Sequence, residues 1–143
     1  MFLGTYTPRL DDKGRFVLPA KFRDEFSEGL VIVTGQEHCL YVFTDAEFKL
    51  EAARVMRGAA TSKADRMLQR MYASGASEET PDKQGRLTIP PIQRAWARLD
   101  KDIAVIGAFN RLEIWDLETW NAFYEANAES FADLDEDNEG VDA

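Results

Sequence analysis

The sequence predicts an α+β protein made of two tandem copies of one small β module, sharing a core and joined by an amphipathic helical linker. Three observations carry that prediction. The stretch "LDDKGRFVLPAKFR", Leu10 to Arg23, returns 71 positions later as "PDKQGRLTIPPIQR", Pro81 to Arg94. Farther on, "LYVFTDAEF" (Leu40–Phe48) lies over "LEIWDLETW" (Leu112–Trp120) at an offset of 72. Between the copies, apolar residues recur at helical spacing. A chain of 143 residues has room for two modules of about 60–70 residues, and modules that small bury too little surface alone, so they share a core or oligomerise.

The repeat is carried by residues with special backbone roles, which report repeated geometry. At the first offset Gly4 meets Gly75, Asp11 meets Asp82, Gly14 meets Gly85, Arg15 meets Arg86, Pro19 meets Pro90 and Arg23 meets Arg94. In each copy a short polar strand leads to an Asp-x-x-Gly turn and a second strand, Arg15–Leu18 or Arg86–Ile89, predicting a hairpin with a protruding tip. Glycine supplies the positive φ that tight turns demand, and aspartate hydrogen-bonds the turn backbone. Pro19 and Pro90 stop the strand and suit a first helical turn, so short helices are expected near 20–26 and 91–99. Two apolar strands follow in each copy, "LVIVTG" with "CLYVF" and "IAVIGA" with "LEIW". Asp45 and Asp116 are the expected N-caps of the closing helices. The modules so defined cover 5–48 and 77–120.

The linker, 49–74, reads as helix. One face carries Phe48, Ala52, Val55 and Met56 and breaks at Gly58. After the turn "RGAATS", Ala64, Met67, Leu68, Met71 and Tyr72 form a second apolar stripe. Lys63, Arg66 and Arg70 lie off it, toward solvent or a partner. Residues 125–143 hold eight carboxylates and no Lys or Arg, and lose periodicity after Phe131; they read as an acidic, disordered tail.

The net charge of −9 is concentrated in that tail, since the other 124 residues carry 17 basic and 18 acidic side chains. No apolar run approaches the ~18 residues of a membrane span, and the N-terminus lacks the pattern of a secretory signal. The single cysteine, Cys39, excludes an intramolecular disulfide and suits a reducing cytoplasm. The single His38 adjoins it, but neighbouring strand residues point to opposite faces and form no dyad. No His/Cys/Asp/Glu group has metal-ligand spacing, and "GRFVLP" lacks the Lys-Ser/Thr of a phosphate loop. A non-enzyme without cofactor or metal is expected.

The repeated turns point elsewhere. Lys13 and Arg15 flank Gly14; Lys83 and Arg86 flank Gln84 and Gly85. A two-stranded ribbon with a basic tip enters a DNA major groove, where Arg reads guanine O6/N7 and Lys meets phosphate or base acceptors. The structural alternative is that Asp11 pairs with Arg15, and Asp82 with Arg86, across each turn. The two readings coexist if the aspartate orients the arginine, and duplication favours contact, because a turn staple need not keep the same Lys and Arg in both copies. Two loops per chain imply a repeated target and an effective-concentration gain. Arg9, Lys63, Arg66 and Arg70 are candidate accessory phosphate contacts.

The order "DDKGR…P…R", "LYVFTDAEF", helical linker, "DKQGR…P…R" and "FNRLEIWD" resembles the MraZ family of bacterial transcriptional regulators, from Phe2 to about Tyr124. The resemblance implies SpoVT–AbrB-type modules of the swapped-hairpin AbrB-like fold, with the tandem pair in the role of a dimer. It implies a cytoplasmic, nucleoid-associated, ring-like homo-oligomer that binds double-stranded DNA with repeated promoter motifs. The target would be direct repeats upstream of its own cell-division and cell-wall gene cluster, with repression as the outcome. Carried over by position, the DNA contacts are Lys13, Gly14, Arg15, Lys83, Gly85 and Arg86, with Asp11 and Asp82 orienting the turns. The acidic tail falls outside the shared pattern. Two rival readings stay open: an AbrB-like antitoxin or protein-interaction module using that tail, and a purely structural ring. Steep salt dependence marks DNA binding through several Lys/Arg contacts.

Overall fold

The computed structural model describes residues 1–59 and 61–134. Its centre is a sheet of six strands built from both copies. Four are the apolar runs: β3 (Leu30–Thr34), β4 (Leu40–Thr44), β7 (Ile103–Gly107) and β8 (Leu112–Asp116). The edges are shorter and more polar: β1 (Thr5–Tyr6) and β5 (Ser77–Glu79). The order is β1-β7-β8-β4-β3-β5, with every neighbour antiparallel. Each copy therefore gives its first strand to the other: β1 pairs with β7, and β5 pairs with β3.

Alternation along the strands divides the core into two layers. Leu30, Ile32, Leu40, Val42, Ile103, Val105, Leu112 and Ile114 face one side, and Val31, Val33, Cys39, Tyr41, Phe43, Ala104 and Trp115 the other. Because both faces are covered, the central strands are mostly apolar rather than alternating polar and apolar, with Glu113 of β8 the interior exception.

A second, two-stranded sheet covers the first face. It joins β2 (Arg15–Val17) to β6 (Arg86–Thr88), with Phe16, Leu18, Leu87 and Ile89 buried beneath it. Beside it lie a 3-10 turn at Ala20–Phe22 running into α1 (Arg23–Phe26), and α4 (Pro91–Trp96). On the opposite face sit α2 (Asp45–Met56), α3 (Lys63–Ser74) and α5 (Leu117–Ala132), which contribute Phe48, Tyr72, Leu117, Trp120 and Phe123 to the second layer.

The expected hairpin within each copy is not what forms. The turns close, but the strand before the turn leaves for the other copy's part of the sheet and the strand after it pairs with its own repeat. A two-stranded ribbon is marginal alone. Pairing β2 with β6 over the large sheet buries four apolar side chains, each worth roughly 1.5–3 kcal/mol.

Other expectations shift by less. Asp116 caps α5 as expected, accepting from the Thr119 N–H. The cap of α2 is Thr44, which accepts from the Glu47 N–H, and Asp45 is the first helical residue, paired with Lys49. Thr44 is the residue that aligns with Asp116. In α3, Leu68 and Tyr72 are half-buried, whereas Ala64, Met67 and Met71 of the same stripe stay exposed because α2 and β3 contact only one side. Helix α5 continues through Ala132, eight residues into the expected tail, on good helix formers such as Ala126, Ala128 and Glu129. The remainder of the tail, 135–143, lies outside the described residues.

One buried polar side chain ties the layers together. Gln93 of α4, 3% exposed, places Nε2 3.1 Å from the Ile32 carbonyl, 3.0 Å from the Gly75 carbonyl and 3.0 Å from Ser77 Oγ. It links α4 to β3 and to the joint between α3 and β5. Replacing it with Leu leaves buried carbonyls without a donor, so Gln93→Leu is expected to destabilise the fold by about 2 kcal/mol, read as a lowered midpoint in urea unfolding.

Candidate nucleic-acid interface

The two turns are built alike, atom for atom. Asp11 Oδ1 accepts from the backbone N–H of Lys13 and of Arg15, each at 2.9 Å, and Oδ2 accepts from Arg15 Nε at 2.8 Å. Asp82 Oδ1 accepts from Gln84 and Arg86 at 2.9 Å each, and Oδ2 from Arg86 Nε at 2.7 Å. Backbone bonds close each loop: the Gly14 N–H donates to the Asp11 carbonyl at 3.0 Å, and the Gly85 N–H to that of Asp82 at 2.9 Å. The pairing expected between Asp and Arg across each turn is therefore present in both copies.

Hydrogen bonds to the ionised carboxylate favour it. The Arg15 backbone N–H is the largest influence holding Asp11 below the ordinary carboxylate value, partly opposed by desolvation. At Asp82 the Arg86 backbone N–H leads, followed by its side chain.

The β2–β6 register decides what the arginines present. Arg15 stands opposite Thr88, Phe16 opposite Leu87 and Val17 opposite Arg86. Phe16 and Leu87 point into the core, so Arg15, Val17, Arg86 and Thr88 share the outer face. The arginines occupy a diagonal of the ribbon, with Cα atoms roughly 7–8 Å apart. Being antiparallel, the ribbon carries one loop at each end, and the exposed loop residues are Asp11, Asp12 and Lys13 at one and Asp82, Lys83 and Gln84 at the other.

The remaining candidates separate. Lys13 occupies the turn position of Gln84, and Lys83 that of Asp12, so the loops do not keep the same lysine; the 71-residue offset already contains this. Gly14 and Gly85 are buried, at φ +76° and +78°, and serve the loop's shape rather than its surface. Arg9 is exposed and paired with Asp102 at 3.2 Å. Lys63, Arg66 and Arg70 belong to α3, on the face of the sheet opposite the ribbon, so the fold does not bring them to the loops.

His38 and Cys39 also part company. The His38 ring lies 4.5 Å from that of Trp96, with Nδ1 3.1 Å from the Trp96 carbonyl. Cys39 is buried, its thiol donating to the Gln36 carbonyl at 3.2 Å, and burial pushes its pKa up, the setting of a structural rather than a reactive cysteine. Among the described residues no group of three His, Cys, Asp or Glu is placed to hold a metal, and no helix is long and apolar enough to cross a membrane.

Sequence reasoning paired Arg23 with Arg94 but gave them no role. Their side chains lie against the loop glycines: a methyl group on Gly14 would fall 2.7 Å from Arg94 Cζ, and one on Gly85 2.6 Å from Arg23 Nε. Their recurrence at a fixed distance from the turn was the available signal.

The lowered aspartate pKa values set a sign. A carboxyl titrating lower when folded contributes stability above its ordinary value, and that contribution is lost as pH falls through the lowered folded value. Carboxyl-carbon NMR is expected to place the Asp11 and Asp82 midpoints below 3.8, with the Arg15 and Arg86 amide shifts moving at the same pH. Midpoints at or above that value would remove the turn geometry as the cause.

Comparison with known proteins bears on the whole chain. The MraZ family model, described as "MraZ protein, putative antitoxin-like", matches twice, over residues 1–71 and 72–141. The protein named Transcriptional regulator MraZ from Kineococcus radiotolerans is 53% identical over 137 residues, 96% of each chain. Proteins of the same name from Leifsonia xyli subsp. xyli and an Arthrobacter species are 50% identical, covering 96% and 99% of each chain respectively.

Proposed function

The chain belongs to the MraZ family, and on that premise we propose that it is a sequence-specific transcriptional regulator reading repeated promoter motifs in double-stranded DNA. The observation that carries this reading is the outward face shared by Arg15 and Arg86, each anchored through Nε by its own aspartate. End-on recognition of guanine uses the two Nη groups of a guanidinium, so an anchor at Nε orients the side chain without occupying its reading edge. From Gly14 to Leu18 the ribbon is roughly 14 Å long, which suits a major groove about 12 Å wide.

In this mechanism Arg15 and Arg86 read base edges, Lys13 and Lys83 meet phosphates from opposite ends of the ribbon, and Asp11 and Asp82 set the turns. Gly14 and Gly85 let the loops form. The functional unit is the pair of modules, 5–48 and 77–120, because each contributes one strand of the ribbon. The proposal extends to a ring-like homo-oligomer on direct repeats upstream of the protein's own cell-division and cell-wall cluster, repressing it as a cytoplasmic, nucleoid-associated protein. Self-association is supported by apolar side chains left exposed on the helices, among them Met67 and Met71 on α3 and Tyr124 and Phe131 on α5. Linked copies would multiply weak single contacts.

The test is a fluorescence-anisotropy titration with DNA from upstream of this protein's gene, against scrambled DNA, at two salt concentrations. Wild type is expected to prefer the upstream DNA and to weaken steeply with salt. Arg15→Ala/Arg86→Ala, still folded by circular dichroism, is expected to lose at least about thirty-fold in affinity, as two base contacts worth about 1–3 kcal/mol each require. Equal binding to scrambled DNA would reduce the interface to a charge effect. Absence of binding by folded wild type would favour the antitoxin-like, protein-binding alternative.

A further inference from the structure

Arg23 opens α1 and Arg94 lies in α4, yet neither covers the loop of its own copy. Arg94 lies against Gly14, and Arg23 against Gly85. The backbone crosses in the same sense: the Ile89 N–H donates to the Gly14 carbonyl and the Leu18 N–H to the Gly85 carbonyl, both at 2.9 Å. The positive φ favours glycine at each site, and the guanidinium fills the space a Cβ would take.

The two contacts are not equally secured. Arg23 Nε donates to the Leu18 carbonyl at 3.1 Å, the residue whose own N–H holds Gly85. Arg94 Nε, by contrast, is a buried donor without a hydrogen-bond partner among the described residues.

We propose that Arg23 and Arg94 are positioning residues that hold the loops in trans between the copies. Arg94 of the second copy fixes Asp11–Arg15, and Arg23 of the first fixes Asp82–Arg86. A planar guanidinium lies flat over a glycine backbone in a way that the compact ammonium of lysine does not. The two loops are therefore one mechanical unit, and the first, under an Arg94 whose Nε is unpartnered among the described residues, is the more loosely held. The inference rests on the DNA-reading role proposed for the loops, but its decisive test needs no DNA.

That test is amide hydrogen exchange on the free, full-length protein. Wild type is expected to exchange faster at Gly14 and Arg15 than at Gly85 and Arg86. Arg94→Met is expected to speed exchange at Gly14 and Arg15 by about ten-fold, as the loop opens locally once the guanidinium against Gly14 is gone, and to leave Gly85 and Arg86 unchanged. Arg23→Met is expected to do the reverse. Arg94→Lys, which keeps the charge and carries the test should Arg94→Met fail to fold, is expected to behave like Arg94→Met. Binding to the upstream DNA should then weaken with an unaltered slope of log affinity against log salt, whereas loss of a phosphate contact would lower that slope by about 0.9. Faster exchange in the mutated residue's own copy, or equally in both loops, would overturn the assignment. So would full retention by Arg94→Lys, or a reduced slope with exchange unmoved, which would make Arg94 a phosphate contact. Should wild type bind no DNA, the regulator reading fails while the exchange pattern still decides the trans contact.

Discussion

Strand β2 pairs with β6, and nearly every other feature of the molecule follows from that pairing. It joins the two copies along three residues each and turns Phe16 and Leu87 onto the sheet. The same alternation turns Arg15 and Arg86 outward together. A one-residue slip would expose the apolar pair and bury the arginines, a change that costs both the core and the charged face. Core packing and the orientation of the arginine face are thus set by one register.

The Asp-x-x-Gly-Arg turn does two jobs with one carboxylate. Oδ1 satisfies two backbone donors of the loop, and Oδ2 holds the arginine. Exposed ion pairs add little stability by themselves. Their value here is geometric: an otherwise mobile arginine leaves a rigid loop from a fixed direction, which lowers the ordering cost of binding. For the DNA-binding role proposed for the loops, this pre-organisation matters more than the strength of the pair.

The layer arrangement separates tasks. The ribbon and short helices occupy one face of the six-stranded sheet, and α2, α3 and α5 the other. Basic residues on α3 therefore belong to a different surface from the loops, however close their charge brings them in a sequence-level reading. The exposed apolar side chains of α3 and α5 lie on that second surface, away from the ribbon.

The duplication, the apolar strands, the turn glycines and the helical linker were legible in the sequence, because each depends on residue type at short range. Pro19 and Pro90 end strands and Gly14 and Gly85 shape turns whatever lies beyond them. The aspartate–arginine pairing was legible for the same reason, its partners being four residues apart. Which strand pairs with which was not legible. Hairpin closure within a copy and exchange between copies satisfy the same hydrophobic pattern and the same turn chemistry, and only the burial gained over the completed sheet decides between them. The trans placement of Arg23 and Arg94, the burial of the loop glycines and the removal of Lys63, Arg66 and Arg70 to the far face all follow from that decision. Local chemistry wrote the parts of the site; the long-range pairing of two copies, set by the area they bury together, decided how those parts face one another.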